Sequence, residues 1–304
     1  MRTYKATLNL RSASGTPWQA DTLFGHWCWS LARRKGEHFL ADVFLAAYHA
    51  GIPPVILSDG FPSGWLPRPL AAPMPSIGIG QPKDARVRQA RGIKKLLKAR
   101  WLTTEEFARS CRGETVGPTT QPEESMRTTS RNQIDRITNT AGGPSGSLYD
   151  FFEYCHASVD IYWRIADGYE DMVREFLEDL QVTGYGKRKT VGYGEVGDFT
   201  FGPYDGFPSV VNSNAFVSLS CFVPAMSDPQ EGYWTVKVKY GKLGEERATG
   251  SHPFKRPLVQ LEAGACFLDP AVREWYGRLI TGLSVDSGVV QYGYAFPVSM
   301  HLVK

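Results

Sequence analysis

Two segments in which apolar and polar residues alternate, each followed by a helical pattern, constrain the fold of this chain most strongly. In residues 4–11 and again in residues 159–165, apolar side chains recur at every second position, the period of a strand with one buried face. Helical spacing follows each segment, from an N-cap predicted at Asp21 and from residue 172. A short strand is predicted at residues 55–57. The order strand–helix–strand, met twice, predicts an α+β fold with a ferredoxin-like sheet, the architecture of RNA-recognition modules.

The residues between these two strand–helix–strand patterns do not fit the sheet. Residues 60–82 are rich in Pro and Gly, residues 83–100 are basic and predicted to be helical, and residues 113–130 are polar and predicted to be an exposed loop. Thr103 and Glu106 form a capping-box pattern that predicts a further short helix. We therefore expect residues 60–145 to project from the first sheet as a thumb-like insertion.

The pattern changes after residue 201. Strand-like runs follow at residues 216–222, 234–238 and 289–298, whereas a helical pattern is found only at residues 271–279. The sequence therefore predicts an N-terminal domain at residues 1–205 and a second, β-rich domain at residues 206–304.

Composition excludes several classes of protein. Hydrophobic residues make up 42% of the chain, enough for a packed core, and the net charge of +3 indicates no particular partner. The five cysteines form no C-x-x-C pair and the six histidines show no metal spacing, so we expect free thiols in a reducing cytosol and neither metal nor cofactor. Without a signal-like or membrane-spanning apolar run, the chain is expected to be cytoplasmic and without membrane contact.

The sharpest local signal is the glycine loop, residues 184–194, with the sequence GYGKRKTVGYG. Its four glycines are expected to let the backbone approach a ligand and expose N–H groups, while Lys187, Arg188 and Lys189 suit a polyanion. The loop lacks the third glycine of a dinucleotide motif, since Lys189 stands there, and the glycine that precedes the lysine of a phosphate loop. A plain helix-to-strand turn with solvated charges is the alternative.

A basic stretch precedes this loop in the chain. Residues 83–112 hold ten basic and three acidic residues, among them Lys94, Lys95 and Lys98. This excess of one sign predicts phosphate binding, and a solvated helix face is the alternative.

Two further candidates are less specific. One is the group Arg131, Asn132 and Arg136, which combines fork-shaped donors with an amide and suits RNA phosphates and bases. The alternative is an ion pair between Asp135 and one of these arginines. His26, on the first helix beside a tryptophan, is either a structural histidine or the general base of a metal-free ribonuclease.

Several sequence blocks occur in the order typical of a known family. They are DTLFGHWCW at 21–29, FP at 61–62 with LPRP at 66–69, RNQIDR at 131–136, the glycine loop at 184–194, EAGACF at 262–267 and QYGYAFP at 291–297. In these blocks the chain resembles the RAMP superfamily, and most closely the fourth subunit of type III-A CRISPR effector (Csm) complexes. Arg68, Gln133 and Thr190 stand where that family tends to have Lys, Arg and Ser.

The resemblance implies two ferredoxin-like units, the second degenerate, and a non-catalytic role. The subunit is expected to bind the 5′ repeat-derived tag of the CRISPR guide RNA (crRNA), to dock on the large signature subunit, and to meet the adjacent backbone RAMP subunit. The residues expected to bind RNA are His26, Lys94, Lys95, Lys98, Arg131, Asn132, Arg136, Gly184, Gly186, Lys187, Arg188, Lys189, Gly192 and Gly194.

Two alternatives remain open from the sequence. One is a RAMP-family crRNA-processing endoribonuclease that uses His26, although such enzymes tend to carry the glycine loop near the C-terminus and here about a hundred residues follow it. The other is the equivalent 5′-end-capping subunit of another type III complex.

Overall fold

The computed structural model describes residues 1–73, 82–117, 120–122, 125–135, 137, 140–141 and 148–302. The α-helices are α1 (Ala20–Lys35), α2 (Ala46–His49), α3 (Lys83–Lys98), α4 (Thr104–Cys111) and α5 (Glu170–Thr183). A π-helical segment, Phe39–Leu45, leads into α2, and 3-10 turns lie at Lys189–Val191 and Glu245–Thr249. Within the described ranges, no helix is long and apolar enough to cross a membrane.

The strands divide between the two halves of the chain. In the first half they are β1 (Arg2–Leu10), β2 (Val55–Pro62), β3 (Trp65–Pro67), β4 (Trp101–Thr103), β5 (Ser125–Asn132), β6 (Leu148–Cys155), β7 (Ser158–Ile165) and β8 (Val196–Pro203). In the second half they are β9 (Ala215–Ser218), β10 (Gly232–Tyr233), β11 (Val236–Lys239), β12 (Leu258–Leu261), β13 (Cys266–Leu268), β14 (Tyr276–Gly277), β15 (Tyr294–Ala295) and β16 (Pro297–Met300).

The first sheet is antiparallel and has the strand order β2–β7–β1–β8. β1 is central, because Ala6 lies opposite Ile161 of β7 on one side and Phe201 of β8 on the other. The predicted alternation is present: Tyr4, Ala6 and Leu8 are buried, and the residues between them are partly exposed. The segments β1–α1–β2 and β7–α5–β8 therefore contribute two strands each to one sheet.

Aromatic side chains hold α1 and α5 against this sheet. The Trp27 ring of α1 lies 5.8 Å from the Trp163 ring of β7 and 5.9 Å from the Phe176 ring of α5. All three side chains are buried, and large aromatic side chains contribute much of the burial in a core. This packing fixes the C-terminal end of α5, where the glycine loop begins.

The start of α1 differs from the prediction. Gln19, not Asp21, occupies the N-cap position, and its side chain makes no capping hydrogen bond. Asp21 lies inside the first turn, where its buried carboxylate forms an ion pair with Lys239 of β11. A tertiary ion pair has replaced the local cap, which sequence spacing could not reveal. The capping box of α4 is confirmed, since the Thr103 hydroxyl accepts from the Glu106 N–H at 3.2 Å and Glu106 accepts from the Thr103 N–H at 2.9 Å.

The second sheet has the order β10–β13–β9–β16 and is also antiparallel. The helix predicted at residues 271–279 is wrong, because this segment is irregular apart from the short β14. The Asp269 carboxylate accepts hydrogen bonds from the Ala271 N–H at 2.9 Å and the Tyr276 hydroxyl at 2.8 Å. Tyr276 in turn stacks on Phe216 at 3.9 Å in the core, so tertiary packing overrides the helical spacing.

A hairpin lies where an exposed loop was predicted. β5 pairs with β6 in a continuous antiparallel register from Ser125↔Cys155 to Asn132↔Leu148. The polar sequence of β5 gives no alternation of buried and exposed residues, so only the pairing with β6 makes it a strand. The turn predicted at residues 142–147 lies outside the described residues.

Candidate nucleic-acid interface

The glycine loop closes on itself where α5 ends. Gly184 adopts φ 68°, and its N–H still donates to the Leu180 carbonyl at 2.8 Å. The Tyr185 N–H donates to the Gly194 carbonyl at 2.8 Å, which ties the two ends of the loop together. We call this meeting point of residues 185 and 194 the neck of the loop. A Cβ on Gly194 would lie 1.9 Å from the Tyr185 carbonyl oxygen, so the neck needs glycine for steric reasons.

The base of the loop is anchored in the core of the protein. Tyr185 is fully buried, stacks on Trp18 at 3.8 Å, and donates its hydroxyl to the Pro17 carbonyl at 2.7 Å. The Gly186 N–H donates to Nε2 of His26 at 3.0 Å. The loop is therefore held rigidly on the segment that joins β1 to α1.

Three of the four glycines have a packing role within the protein. Gly184, Gly186 and Gly194 face this chain's own backbone and side chains, and a Cβ on Gly186 would lie 2.9 Å from the Thr16 side chain. Gly192, at φ 87°, faces open space among the described atoms. Three of these glycines thus allow close packing within the protein, and the close approach of a ligand to the loop stays a prediction.

His26 acts as an acceptor within this anchor. Burial, together with the nearby positive charge of Lys189, lowers the pKa of His26 to about 3. The imidazole is therefore neutral at physiological pH, and its Nε2 lone pair is occupied by the Gly186 N–H. In this position His26 supports the loop and is poorly placed to exchange protons with a substrate.

Three basic side chains from two separate segments converge on one aromatic ring. The charged groups of Arg131, Lys187 and Arg188 lie 5.0, 4.8 and 4.7 Å from the centre of the Phe151 ring. Arg131 comes from β5 and Phe151 from β6, whereas the other two come from the glycine loop. Cations this close to an aromatic face are attracted by the ring. We call Arg131, Phe151, Lys187, Arg188 and Tyr193 the cation–aromatic cluster.

Glu153 neutralises part of this charge. Its carboxylate accepts hydrogen bonds from the Tyr193 hydroxyl, from Thr129 at 3.0 Å and from Arg131 at 3.2 Å. The bond from Tyr193 is the main cause that holds the pKa of Glu153 below its usual value, so the group is a carboxylate at neutral pH. Arg131 is thus already paired within the protein.

The remaining two cations have no such partner. In the part of the chain that the structure describes, no carboxylate lies within ion-pair distance of Lys187 or Arg188. Lys187 is exposed, and Arg188 is partly exposed and donates to the Tyr149 hydroxyl. Two unpaired cations beside aromatic rings form a surface suited to the phosphates and bases of a single strand.

Lys189 takes a different role from its two neighbours. Its Nζ lies 2.7 Å from Glu245, in the second half of the chain, and both side chains are partly buried. The ion pair joins the glycine loop to the 3-10 turn at Glu245–Thr249. We infer that Lys189 mainly connects the two halves, although the sequence placed it among the RNA ligands.

Other predicted site residues do not join the cluster. Asn132 lies opposite Leu148 and, as a neighbour of Arg131 along β5, points to the other face of the hairpin. Arg136 lies outside the described residues. Lys94, Lys95 and Lys98 are exposed on α3, where Leu96 is the buried residue, and they remain predicted phosphate contacts.

Sequence reasoning missed Phe151 of the cluster and its neighbours on the same strand. Tyr149, Phe151 and Glu153 share one face of β6, at every second position, and this period is visible in the sequence. It did not identify β6 as a strand because β5, the partner strand, gave no strand signal.

Within the described residues, no group of three or more His, Cys, Asp or Glu side chains could hold a metal ion.

No protein-family model and no curated protein matches the chain. Among solved structures, the chain is similar to Csm4 in a Csm1–Csm4 cassette in complex with pppApA, with 22% identity, a TM-score of 0.62 and 99% of each chain covered. It is also similar to Csm4 in a Csm3–Csm4 subcomplex of the type III-A CRISPR-Cas interference complex. There the identity is 11% and the TM-score 0.62, over 99% of this chain and 100% of that chain.

These likenesses agree with the architecture. The chain is a mixed α/β structure with several small antiparallel sheets and a glycine loop after α5, and it shares its fold with these solved chains. More particularly, the fold is that of Csm4, over the whole length of the chain.

Proposed function

We propose that this chain is the Csm4-like subunit of a type III-A CRISPR effector complex and that it binds the 5′ repeat-derived tag of the crRNA without cleaving it. The observation that carries the proposal is the convergence of Arg131, Lys187 and Arg188 on Phe151, in a chain with the Csm4 fold. Phosphates meet the cations and unstacked bases meet the rings, which is how single-stranded RNA is commonly bound.

The architecture supports a division into two ferredoxin-like units at residues 1–205 and 206–304. The two four-stranded sheets use the same order: numbered along the chain within each sheet, their strands run 2–3–1–4. In the second unit, the irregular segment after β9 and the β14–β15 ribbon after β13 stand where a ferredoxin-like unit has its two helices. The segment of about residues 60–145 is then the thumb of the first unit, and α3 adds phosphate contacts without sequence preference.

The same proposal assigns two protein partners. Csm4 is found with Csm1 in one solved structure and with Csm3 in another. By analogy, this chain docks on the large signature subunit and on the adjacent backbone RAMP subunit, in the cytoplasm. The equivalent subunit of another type III complex has the same role with different neighbours.

The geometry of His26 argues against the endoribonuclease alternative. A general base needs a free lone pair and a pKa near the working pH. The Nε2 atom of His26 accepts from the Gly186 N–H, and the pKa is lowered to about 3 by burial first and by Lys189 second. We therefore assign His26 to positioning of the glycine loop.

Co-purification with neighbouring subunits tests this function. The chain is expressed with the large and backbone subunits and a CRISPR array, and the bound RNA is sequenced. We expect RNAs that share one repeat-derived 5′ end, and a severalfold loss of RNA for Phe151→Leu, which removes the ring shared by three cations. The control Phe152→Leu changes a residue on the opposite face of the hairpin and should keep the RNA.

Three results would contradict the proposal. One is an assembled complex that carries no RNA with a common 5′ end. Another is equal RNA recovery for Phe151→Leu and Phe152→Leu. The third is cleavage of repeat RNA by the purified chain that disappears in His26→Ala.

A further inference from the structure

A cavity of about 230 Å³ lies between the first and second halves of the chain. It is bounded by the segment before α1, by β2 and β3, by the end of α3, by β6 and by β11. Pockets for drug-sized ligands commonly measure about 300–1,000 Å³, so this one suits a ligand no larger than a single nucleotide.

Arg68 is the unusual charge in this cavity. Its guanidinium is partly buried and donates to two backbone carbonyls, those of Ala99 at 3.2 Å and Pro69 at 3.4 Å. Among the residues that the structure describes, no carboxylate pairs with it. Burial lowers the pKa of Arg68, which shows the cost of keeping this charge here. An arginine that lines a cavity without an anion is suited to an anionic ligand, because its remaining donors match a phosphate.

The carboxylates in the cavity are already engaged elsewhere. Asp59 accepts from the Ala20 N–H at 2.8 Å and from the Cys221 thiol at 3.0 Å. Glu262 accepts from the Thr235 hydroxyl at 2.8 Å. Neither group neutralises Arg68, so the part of the cavity near that residue keeps its positive charge.

Aromatic side chains form other parts of the wall. Trp18, Trp101 and Tyr154 line the cavity, and the Arg100 guanidinium lies 4.8 Å from the centre of the Trp101 ring. Aromatic faces combined with arginines are the typical surroundings of an unstacked nucleobase and its phosphate. An inorganic anion alone would not need these rings.

The cavity and the cation–aromatic cluster share two structural elements. Trp18, in the wall, stacks on Tyr185 of the glycine loop. Tyr154 belongs to the same strand as Phe151, three residues or about 10 Å further along, and points to the opposite face of the hairpin. An RNA strand bound at the cluster would therefore reach the cavity around the edge of the hairpin, on the side of the glycine loop where Trp18 stacks on Tyr185.

We propose that this cavity holds one nucleotide of the bound RNA, with its phosphate on Arg68 and its base against the aromatic wall. The inference rests on the proposed RNA-binding function. It adds a second, recessed site to the surface cluster, and it assigns Arg68 as a residue that contacts the RNA.

Photo-crosslinking of the full-length chain tests the proposal. The probe is a degenerate 12-nucleotide single-stranded RNA that contains 4-thiouridine, and crosslinked residues are identified by mass spectrometry. We expect crosslinks at Trp18, Trp101 or Tyr154 in addition to those at the cluster. Arg68→Gln should lose the cavity crosslinks and weaken RNA affinity about tenfold, because a charge-assisted phosphate contact is removed.

Three controls keep the result interpretable. Arg68→Lys keeps the charge and should lose less affinity than Arg68→Gln. Arg2→Gln removes an exposed arginine at the start of β1 and should behave as wild type. Circular dichroism shows whether each variant is folded, and the crosslinks of the wild-type chain do not depend on any variant.

The outcomes separate this inference from the proposed function. Crosslinks confined to the cluster, with unchanged affinity for Arg68→Gln, overturn the cavity site but leave RNA binding intact. A wild-type chain that does not bind the RNA overturns both. If free nucleoside monophosphates bind with an affinity that depends on Arg68 while RNA gives no cavity crosslinks, the site takes a free nucleotide and the inference is wrong.

Discussion

At the scale of single residues, His26 shows how an apparent catalytic group can serve the structure. It stays neutral at physiological pH and accepts a backbone N–H from the glycine loop. The chain uses this histidine as a hydrogen-bond acceptor, so a glutamine, which can also accept, should replace it with little loss of structure.

The lowered pKa of His26 makes stability depend on pH. Its pKa is about 3 in the folded chain, whereas an unfolded histidine titrates near 6.5, so below about pH 6.5 the unfolded state binds a proton that the folded state does not. Stability should therefore fall as pH is lowered from 6.5. By pH 5 the contribution of His26 is about 2 kcal/mol at most, because the side chain is partly exposed.

Urea denaturation at pH 7.5 and pH 5 checks this value. We expect the wild type to lose up to about 2 kcal/mol more unfolding free energy between these pH values than His26→Gln. The difference between the two proteins removes the contribution of the other histidines. An equal pH dependence for both would contradict a lowered pKa at this residue.

At the scale of elements, the glycine loop is packed against the rest of the protein except at Gly192. Its neck requires Gly194, where a Cβ would meet the Tyr185 carbonyl oxygen, but Gly192 faces open space with a similar left-handed backbone. Gly194→Ala should therefore lower the unfolding free energy by about 3 kcal/mol, through the clash and the backbone strain together. Gly192→Ala should cost about 1 kcal/mol, from the backbone strain alone.

The difference in unfolding free energy between these two variants measures the packing of the neck. Both place the same side chain at a glycine with positive φ, φ 67° for Gly194 and φ 87° for Gly192, so their difference reports the packing of the neck. Urea denaturation followed by tryptophan fluorescence gives both values. If the two variants are equally stable, the neck is not packed as the structure has it.

The sequence predicted elements well where one face is buried and poorly where tertiary pairing decides. β1 and α5 follow the periods seen in the sequence, because their buried side chains lie on one face. β7 was also recognised as a strand from its period, although both of its faces are buried. β5 is polar on both faces and is a strand only through β6. Tyr276 packs in the core beside Phe216, and this packing prevents the helix expected at residues 271–279.

The candidate site was predicted in parts and not as a whole. The glycine loop and Arg131 were recognised separately from their residue types. Their convergence on Phe151 depends on how the hairpin lies against the loop, and no local pattern specifies that arrangement. The pairing of Lys189 with Glu245 is equally non-local, which is why three consecutive cations looked equivalent in the sequence.

At the scale of the whole molecule, a buried polar network joins the two halves. The Asp21 carboxylate of α1 accepts from Lys239 of β11, from Gln260 at 3.1 Å and from Gln291 at 2.6 Å. Burial alone would raise the pKa of Asp21, but Lys239 outweighs it and the pKa lies below the usual value. The charge is therefore paired, and removing one partner should be costly.

Substitution of Lys239 tests this network. Lys239→Met leaves a buried carboxylate without its cation and should lower the unfolding free energy by about 3 kcal/mol. Asp21→Asn combined with Lys239→Met should lose less, because no buried charge then remains unpaired. The exposed pair Arg2–Asp167 supplies the control, and Arg2→Met should change stability by under about 0.5 kcal/mol. A Lys239→Met protein as stable as Arg2→Met would show that the network does not join the halves.

The salt dependence of RNA binding tests the central claim, that the cation–aromatic cluster contacts RNA phosphates. Each phosphate contact to a single strand contributes about 0.7 to the slope of log affinity against log salt concentration. Lys187→Ala combined with Arg188→Ala should therefore weaken binding and flatten that slope by about 1.4, whereas Lys189→Ala, at the pair with Glu245, should leave it unchanged. A double variant that keeps the wild-type affinity and slope would contradict the account.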